Sequence, residues 1–178
     1  MPSPNSENSG STYNTIPSDT DSLFSSALES YKIGQYSDAI DSFNKVLQIQ
    51  PNNATAQFLK GSSLYKTGNY SNAHESFKQL IHLDTNNTKA LYYDGLSLYN
   101  LERYNEAISK FNRVLALEPS NTNALLYKGL SLYNLERYDE AVAYYDRILE
   151  IDSNNTNATK EKEKIQQIQK NQSDINTG

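Results

Sequence analysis

The sequence predicts an all-α solenoid of antiparallel helix pairs closed by a C-terminal capping helix, and three observations predict it. The ten residues GLSLYNLERY stand at Gly95–Tyr104 and again, unchanged, at Gly129–Tyr138, a step of 34 residues. A fixed period between about 20 and 50 residues marks a stacked repeat. Sliding that step back along the chain brings a small residue to the same slot each time: Ala27, Gly61, Gly95 and Gly129. A second small series, Ala39, Ala73, Ala107 and Ala141, recurs at the same step, each three residues after Tyr36, Tyr70, Tyr104 and Tyr138. Four units follow, over residues 20–53, 54–87, 88–121 and 122–155.

Residues 1–19 hold no basic residue and are dominated by Ser, Asn, Thr and Pro, the composition of a disordered tail. Each unit then reads as helix, turn, helix. The first two units turn at Gly34 and Gly68, where glycine permits a left-handed helix C-cap. The third turns at Glu102 and Arg103. In that unit Leu91, Leu98 and Leu101 share one face of the first helix with Gly95 between them. Its second helix carries a broad stripe of Ala107, Ile108, Phe111, Val114, Leu115 and Leu117, stopped by Pro119, Ser120 and Asn121. Short side chains let two helices approach closely, with a neighbouring Tyr or Phe packed over them. Glycine inside a helix costs about 1 kcal/mol against alanine, so three at one slot imply a packing requirement. After the fourth unit, Thr156, Asn157 and Ala158 repeat Thr122, Asn123 and Ala124 before the chain turns polar. Residues 156–172 are expected to cap the stack, with Ala158, Ile165 and Ile168 covering the last repeat, as the open end of a solenoid requires. Residues 173–178 read as a flexible tail.

Composition removes several function classes. The formal net charge is −5 and the 16 Lys and Arg are dispersed, without the basic patch of a nucleic-acid binder. No stretch reaches the roughly 18 apolar residues of a membrane helix, so membrane insertion is not expected. Zero Cys excludes disulfides and thiolate metal sites. His74 and His82 lack the i+4 spacing of a metal-binding helix, and His74 occupies the slot of Ile40, Ile108 and Val142, which makes it a packing residue. With no phosphate loop and no nucleophile set, neither catalysis nor a cofactor is expected. Sequons begin at Asn53, Asn69, Asn86, Asn154, Asn157 and Asn171, and an Asn-, Ser- and Thr-rich composition generates such triplets freely. A cytoplasmic location is expected, an exported form with a processed N-terminal signal being the alternative.

The pattern L-x-x-x-G-x-x-L-Y, a turn, Y-x-x-A-I, a Phe four residues after the Ala and a closing Pro resembles the tetratricopeptide repeat, and the likeness covers four repeats over residues 20–155. Thr85 and Ser153 stand in place of the closing Pro in units two and four, and Ser30 where the other units have Leu64, Leu98 and Leu132. The resemblance implies a right-handed superhelix whose first helices line a concave protein-binding groove. Its lining would come from Phe24, Phe58, Tyr92 and Leu126; Leu59, Tyr93 and Tyr127; Leu28, Leu96 and Leu130; and Tyr31, Tyr65, Tyr99 and Tyr133, with Lys89 as a charged member. Such a groove suits a protein or peptide ligand, an apolar segment or an amphipathic helix, because Tyr joins an apolar face to a hydroxyl. Tyr93 and Tyr127 are expected to stand at that surface with few neighbours, so that truncating them spares the fold. Family members that clamp the carboxylate-ended tails of heat-shock chaperones use Lys, Asn and Arg where this chain has Phe24, Leu28, Leu59, Lys89 and Tyr93. Only Lys89 agrees, so that mode is not expected. The alternative function is self-association: a structural scaffold whose groove is filled by another copy or by its own tail through Tyr13 and Ile16.

Overall fold

The computed structural model describes residues 19–176. The tail expectation, Tyr13 and Ile16 included, lies outside the described residues apart from Asp19, which opens the first helix. Among the described residues there are nine helices and no strand: α1 Asp19–Lys32, α2 Tyr36–Ile49, α3 Ala54–Lys66, α4 Tyr70–Leu83, α5 Thr88–Asn100, α6 Tyr104–Leu117, α7 Thr122–Asn134, α8 Tyr138–Ile151 and α9 Thr156–Asn176. The first eight form four antiparallel pairs in the register of the repeat. The ninth runs past residue 172 to Asn176.

Local chemistry explains the boundaries. Asn53, Asn87 and Asn121 precede α3, α5 and α7, and each side-chain oxygen accepts the backbone N–H of Ala56, Ala90 or Ala124 at 2.9 Å. Asn155 does the same for Ala158 at 3.1 Å. The Asn of every inter-repeat turn is therefore an N-cap that satisfies an orphan amide. Within each pair the first helix ends in a left-handed residue: Gly34 at φ 83°, Gly68 at φ 76°, and at the same repeat position Glu102 at 59° and Glu136 at 58°. The following amide folds back onto a carbonyl of the last turn, Gln35 to Ser30, Asn69 to Leu64, Arg103 to Leu98 and Arg137 to Leu132, at 2.8–2.9 Å. That is the Schellman closure, and it sets the sharp reversal between paired helices.

The small-residue slot is filled by a ring. A Cβ built on Gly61 would lie 2.8 Å from the Phe77 ring, on Gly95 2.7 Å from Phe111, and on Gly129 2.5 Å from Tyr145. Ala73, Ala107 and Ala141 are fully buried in the clusters of these rings, and Ala39 in that of Phe43. The core cluster of the fourth unit extends into the last helix, where Ala158 and Ile165 close over Leu132, Tyr145 and Ile148. Ile168 is half-buried. First helices touch one another directly, α1 to α3, α3 to α5 and α5 to α7, whereas second helices make no comparable contact with the next second helix. The first helices thus form the inner side of the curve and the second helices the outer side. No described helix is long and apolar enough to cross a membrane.

Candidate functional site

The residues expected to line the inner face all lie on the first helices, and all but one keep some exposed surface there. Phe24, Leu28, Tyr31, Phe58, Leu59, Tyr65, Tyr92, Tyr93, Tyr99, Leu126, Tyr127, Leu130 and Tyr133 are half-buried and Lys89 is exposed. Leu96 differs: it is 5% exposed and belongs to the core, as does Ser62 at the same slot of the preceding repeat. Close contact between neighbouring first helices leaves a side chain at that slot no surface in the two middle repeats.

Five half-buried tyrosines make one continuous run across repeats two to four. Ring centroids stand 6.1 Å apart for Tyr65–Tyr93, 5.6 Å for Tyr93–Tyr92, 6.3 Å for Tyr92–Tyr127 and 5.5 Å for Tyr127–Tyr99. Every step is edge-to-face, with interplanar angles of 77–81°, the arrangement that aligns the positive edge of one ring with the negative face of the next. Burial pushes the phenols of Tyr65, Tyr92 and Tyr99 above the ordinary tyrosine value.

The expectation that Tyr93 and Tyr127 have few neighbours fails. Tyr93 stacks on Phe77 at 5.7 Å and 27°, and Tyr127 stacks on Phe111 at 6.1 Å and 28°. Each covers, from the following repeat, the ring that fills a glycine slot. The tyrosines at the end of each first helix are also shared with packing. Tyr31, Tyr65, Tyr99 and Tyr133 meet the tyrosine opening the next helix at 5.3–5.7 Å. Their hydroxyls cross to the next repeat: Tyr31 Oη lies 2.9 Å from Ser62 Oγ, Asn100 Nδ2 donates to Tyr65 Oη at 3.2 Å, and Asn134 Nδ2 donates to Tyr99 Oη at 3.3 Å.

A polar cluster on the other flank of the first helices escaped the sequence reading. Asp94 is completely buried, with His74 Nδ1 2.5 Å from its Oδ1 and Lys110 Nζ 2.9 Å from its Oδ2, the latter an ion pair without hydrogen-bond geometry. His74 is buried as expected, but as a partner of Asp94 and not as an apolar filler. The signal was present at step 34: Lys60, Asp94, Lys128 and Lys162 put an ionisable residue at one slot of every first helix from α3 onward. No group of three or more potential metal ligands converges among the described residues.

A family model described as tetratricopeptide repeat matches residues 94–156, and one described as anaphase-promoting complex, cyclosome, subunit 3 matches residues 32–114. No curated protein matches the chain. Among solved structures, a tetratricopeptide repeat protein from Parabacteroides merdae ATCC 43184 is 20% identical, with a TM-score of 0.79 over 85% of this chain and 60% of its own. YrrB, a tetratricopeptide repeat protein with an unusual peptide-binding site, is 22% identical, with a TM-score of 0.77 over 82% of this chain and 75% of its own. The first such region of Spaghetti (RPAP3), bound to the HSP90 peptide SRMEEVD, is 30% identical, with a TM-score of 0.62 over 65% of this chain and 91% of its own. With its period, glycine slots and helix pairs all in the same register, the chain belongs to the tetratricopeptide repeat family.

Proposed function

We propose that this protein is a non-catalytic interaction module whose inner face holds an apolar segment or amphipathic helix of a protein partner. The run Tyr65–Tyr93–Tyr92–Tyr127–Tyr99 carries the reading: half-buried rings in edge-to-face contact, continuous over three repeats. A helix laid along such a face would offer apolar residues at i, i+3, i+4 and i+7. Each phenol adds a hydroxyl to its apolar face, the combination enriched at interface hot spots. The region of Spaghetti (RPAP3) similar to this chain holds an acidic peptide. Here the face presents phenols and leucines with Lys89 at its edge, which favours an apolar ligand over an acidic one.

Two fluorescently labelled peptides, a designed amphipathic helix with a leucine face and the acidic sequence SRMEEVD, would be titrated against the full chain. The helix should bind more tightly. Leu59→Glu and Leu130→Glu, half-buried positions outside the ring stacks, should each weaken it at least about tenfold, or about 1.4 kcal/mol. Preference for the acidic peptide, or indifference to both substitutions, would refute the reading. Sedimentation over a range of concentrations decides whether a second copy of the chain takes the peptide's place.

A further inference from the structure

The slot shared by Lys60, Asp94, Lys128 and Lys162 faces the second helices, and at Lys60 and Asp94 the gap between two consecutive ones. Three of its four occupants are satisfied within the molecule. Asp94 has His74 and Lys110. Lys128 Nζ donates to the Tyr144 hydroxyl and sits 4.0 Å from the centre of that ring. Lys162 Nζ pairs with Asp146 at 2.5 Å.

Lys60 is the exception: half-buried, it has neither an ion pair nor a hydrogen-bond acceptor among the described residues. The positions that supply partners elsewhere are held here by residues that cannot. Where His74 stands the first unit has Ile40, where Asp146 stands it has Asn44, and where Lys110 and Tyr144 stand the second unit has Ser76. The short Ser76 leaves a cavity of about 610 Å³ between α2, α3 and α4, with Lys60 and Leu64 along α3 and Asp41, Asn44, Asn72 and Glu75 among its walls. That volume lies within the roughly 300–1,000 Å³ of ligand pockets. Withdrawing an ammonium from water without a counter-ion is unfavourable, and burial lowers the Lys60 pKa accordingly.

We infer that this outer cleft binds a ligand through a carboxylate set against Lys60, with the side-chain amides of Asn44 and Asn72 available to the polar remainder. The nearby acids Asp41 and Glu75 disfavour a dianion such as phosphate and accommodate a ligand that also carries an ammonium. A free amino acid and an acidic side chain within a peptide share this chemistry.

The full ¹⁵N-labelled chain would be titrated with L-glutamate and, separately, with acetyl-Ala-Glu-Ala-amide; phosphate and methylammonium serve as controls. Amide resonances of α2 to α4 should shift saturably with at least one carboxylate, and the tighter of the two identifies the source. Lys60→Met should weaken binding at least tenfold. Ser76→Tyr, which supplies the ring that already pairs with Lys128 in the fourth unit, should do the same by filling the cleft, and it tests the site without removing the lysine. Failure of both carboxylates to saturate, equal binding of phosphate, or binding that survives both substitutions overturns the inference.

Discussion

Tyr93 lies against Phe77, centroids 5.7 Å apart and planes 27° apart, so that one side of the phenol belongs to the core and the other to the inner face. Tyr93→Ala removes that contact together with the edges offered to Phe58, Tyr65 and Tyr92. It should lower the unfolding free energy in urea by about 2 kcal/mol, less than for a fully buried ring. Tyr93→Phe should stay within about 0.5 kcal/mol of the parent. An unchanged midpoint for the alanine variant would return Tyr93 to the surface.

Glycine changes at two kinds of position should differ in cause. At Gly68 an added Cβ meets nothing within 4 Å, so the loss of about 1 kcal/mol expected for Gly68→Ala is backbone strain alone. The reverse change at the matching turn, Glu102→Gly, should stabilise by about 0.5–1 kcal/mol. Gly95→Ala instead drives a methyl to 2.7 Å from Phe111 and should cost about 1–3 kcal/mol despite the better helix propensity of alanine. Thermal melts of the three variants give the signs directly.

Asp94→Ala strands His74 and Lys110 without their shared acceptor, and a loss of about 3 kcal/mol is expected, at the low end for a broken buried pair because Lys110 still reaches water. The triple change His74→Ile, Asp94→Lys and Lys110→Tyr transplants the residues found at Ile108, Lys128 and Tyr144. It should recover most of that loss. A triple variant no more stable than Asp94→Ala would show that the slot does not exchange between repeats.

Tyr145 fills the slot that Phe43, Phe77 and Phe111 fill in the other units, and its hydroxyl is buried without a hydrogen-bond partner among the described residues. Tyr145→Phe should stabilise by about 1 kcal/mol at pH 7. Burial pushes the phenol above its usual value, with the Glu161 carboxylate adding to the effect. The folded pKa exceeds the unfolded one, so the neutral ring's contribution is complete below about pH 10 and falls as pH rises above it. Tyr145→Phe should therefore also flatten the alkaline limb of the stability profile. An equally steep limb in both proteins would place its origin elsewhere, Tyr92 being the next candidate.

Deleting residues 156–178 uncovers Leu132, Tyr145 and Ile148 where Ala158 and Ile165 now lie. Each buried side chain of this size is worth about 1.5–3 kcal/mol. The shortened chain should lose helix in the fourth unit and associate on gel filtration, whereas a monodisperse profile with an unshifted melt would make α9 dispensable.

The repeat period made the helix pairs, the glycine slots and the positive-φ turns at Gly34 and Gly68 readable, because each depends on residues close in sequence and recurs at the 34-residue step. Tyr93 was misjudged for the opposite reason. Its neighbour Phe77 belongs to the preceding repeat, and one period carries no information on how far a ring in one unit overlaps the next. Asp94 was missed because its partners differ from repeat to repeat, so the pattern that marks a core slot by sameness hides a slot that is filled by exchange. Leu96 was placed on the inner face by position alone, and only the approach of adjacent first helices shows that the slot closes in mid-stack.

Direct contact among first helices, without its counterpart among second helices, has a mechanical consequence. The stack is a strip joined along its inner edge by these contacts. Bending stress is then taken up on the outer edge, as widening or narrowing of the gaps between second helices. A load that straightens the superhelix closes the Lys60 cleft, and one that tightens it opens the cleft, so the tension carried between the two ends of the molecule and the width of that cleft are a single elastic coordinate.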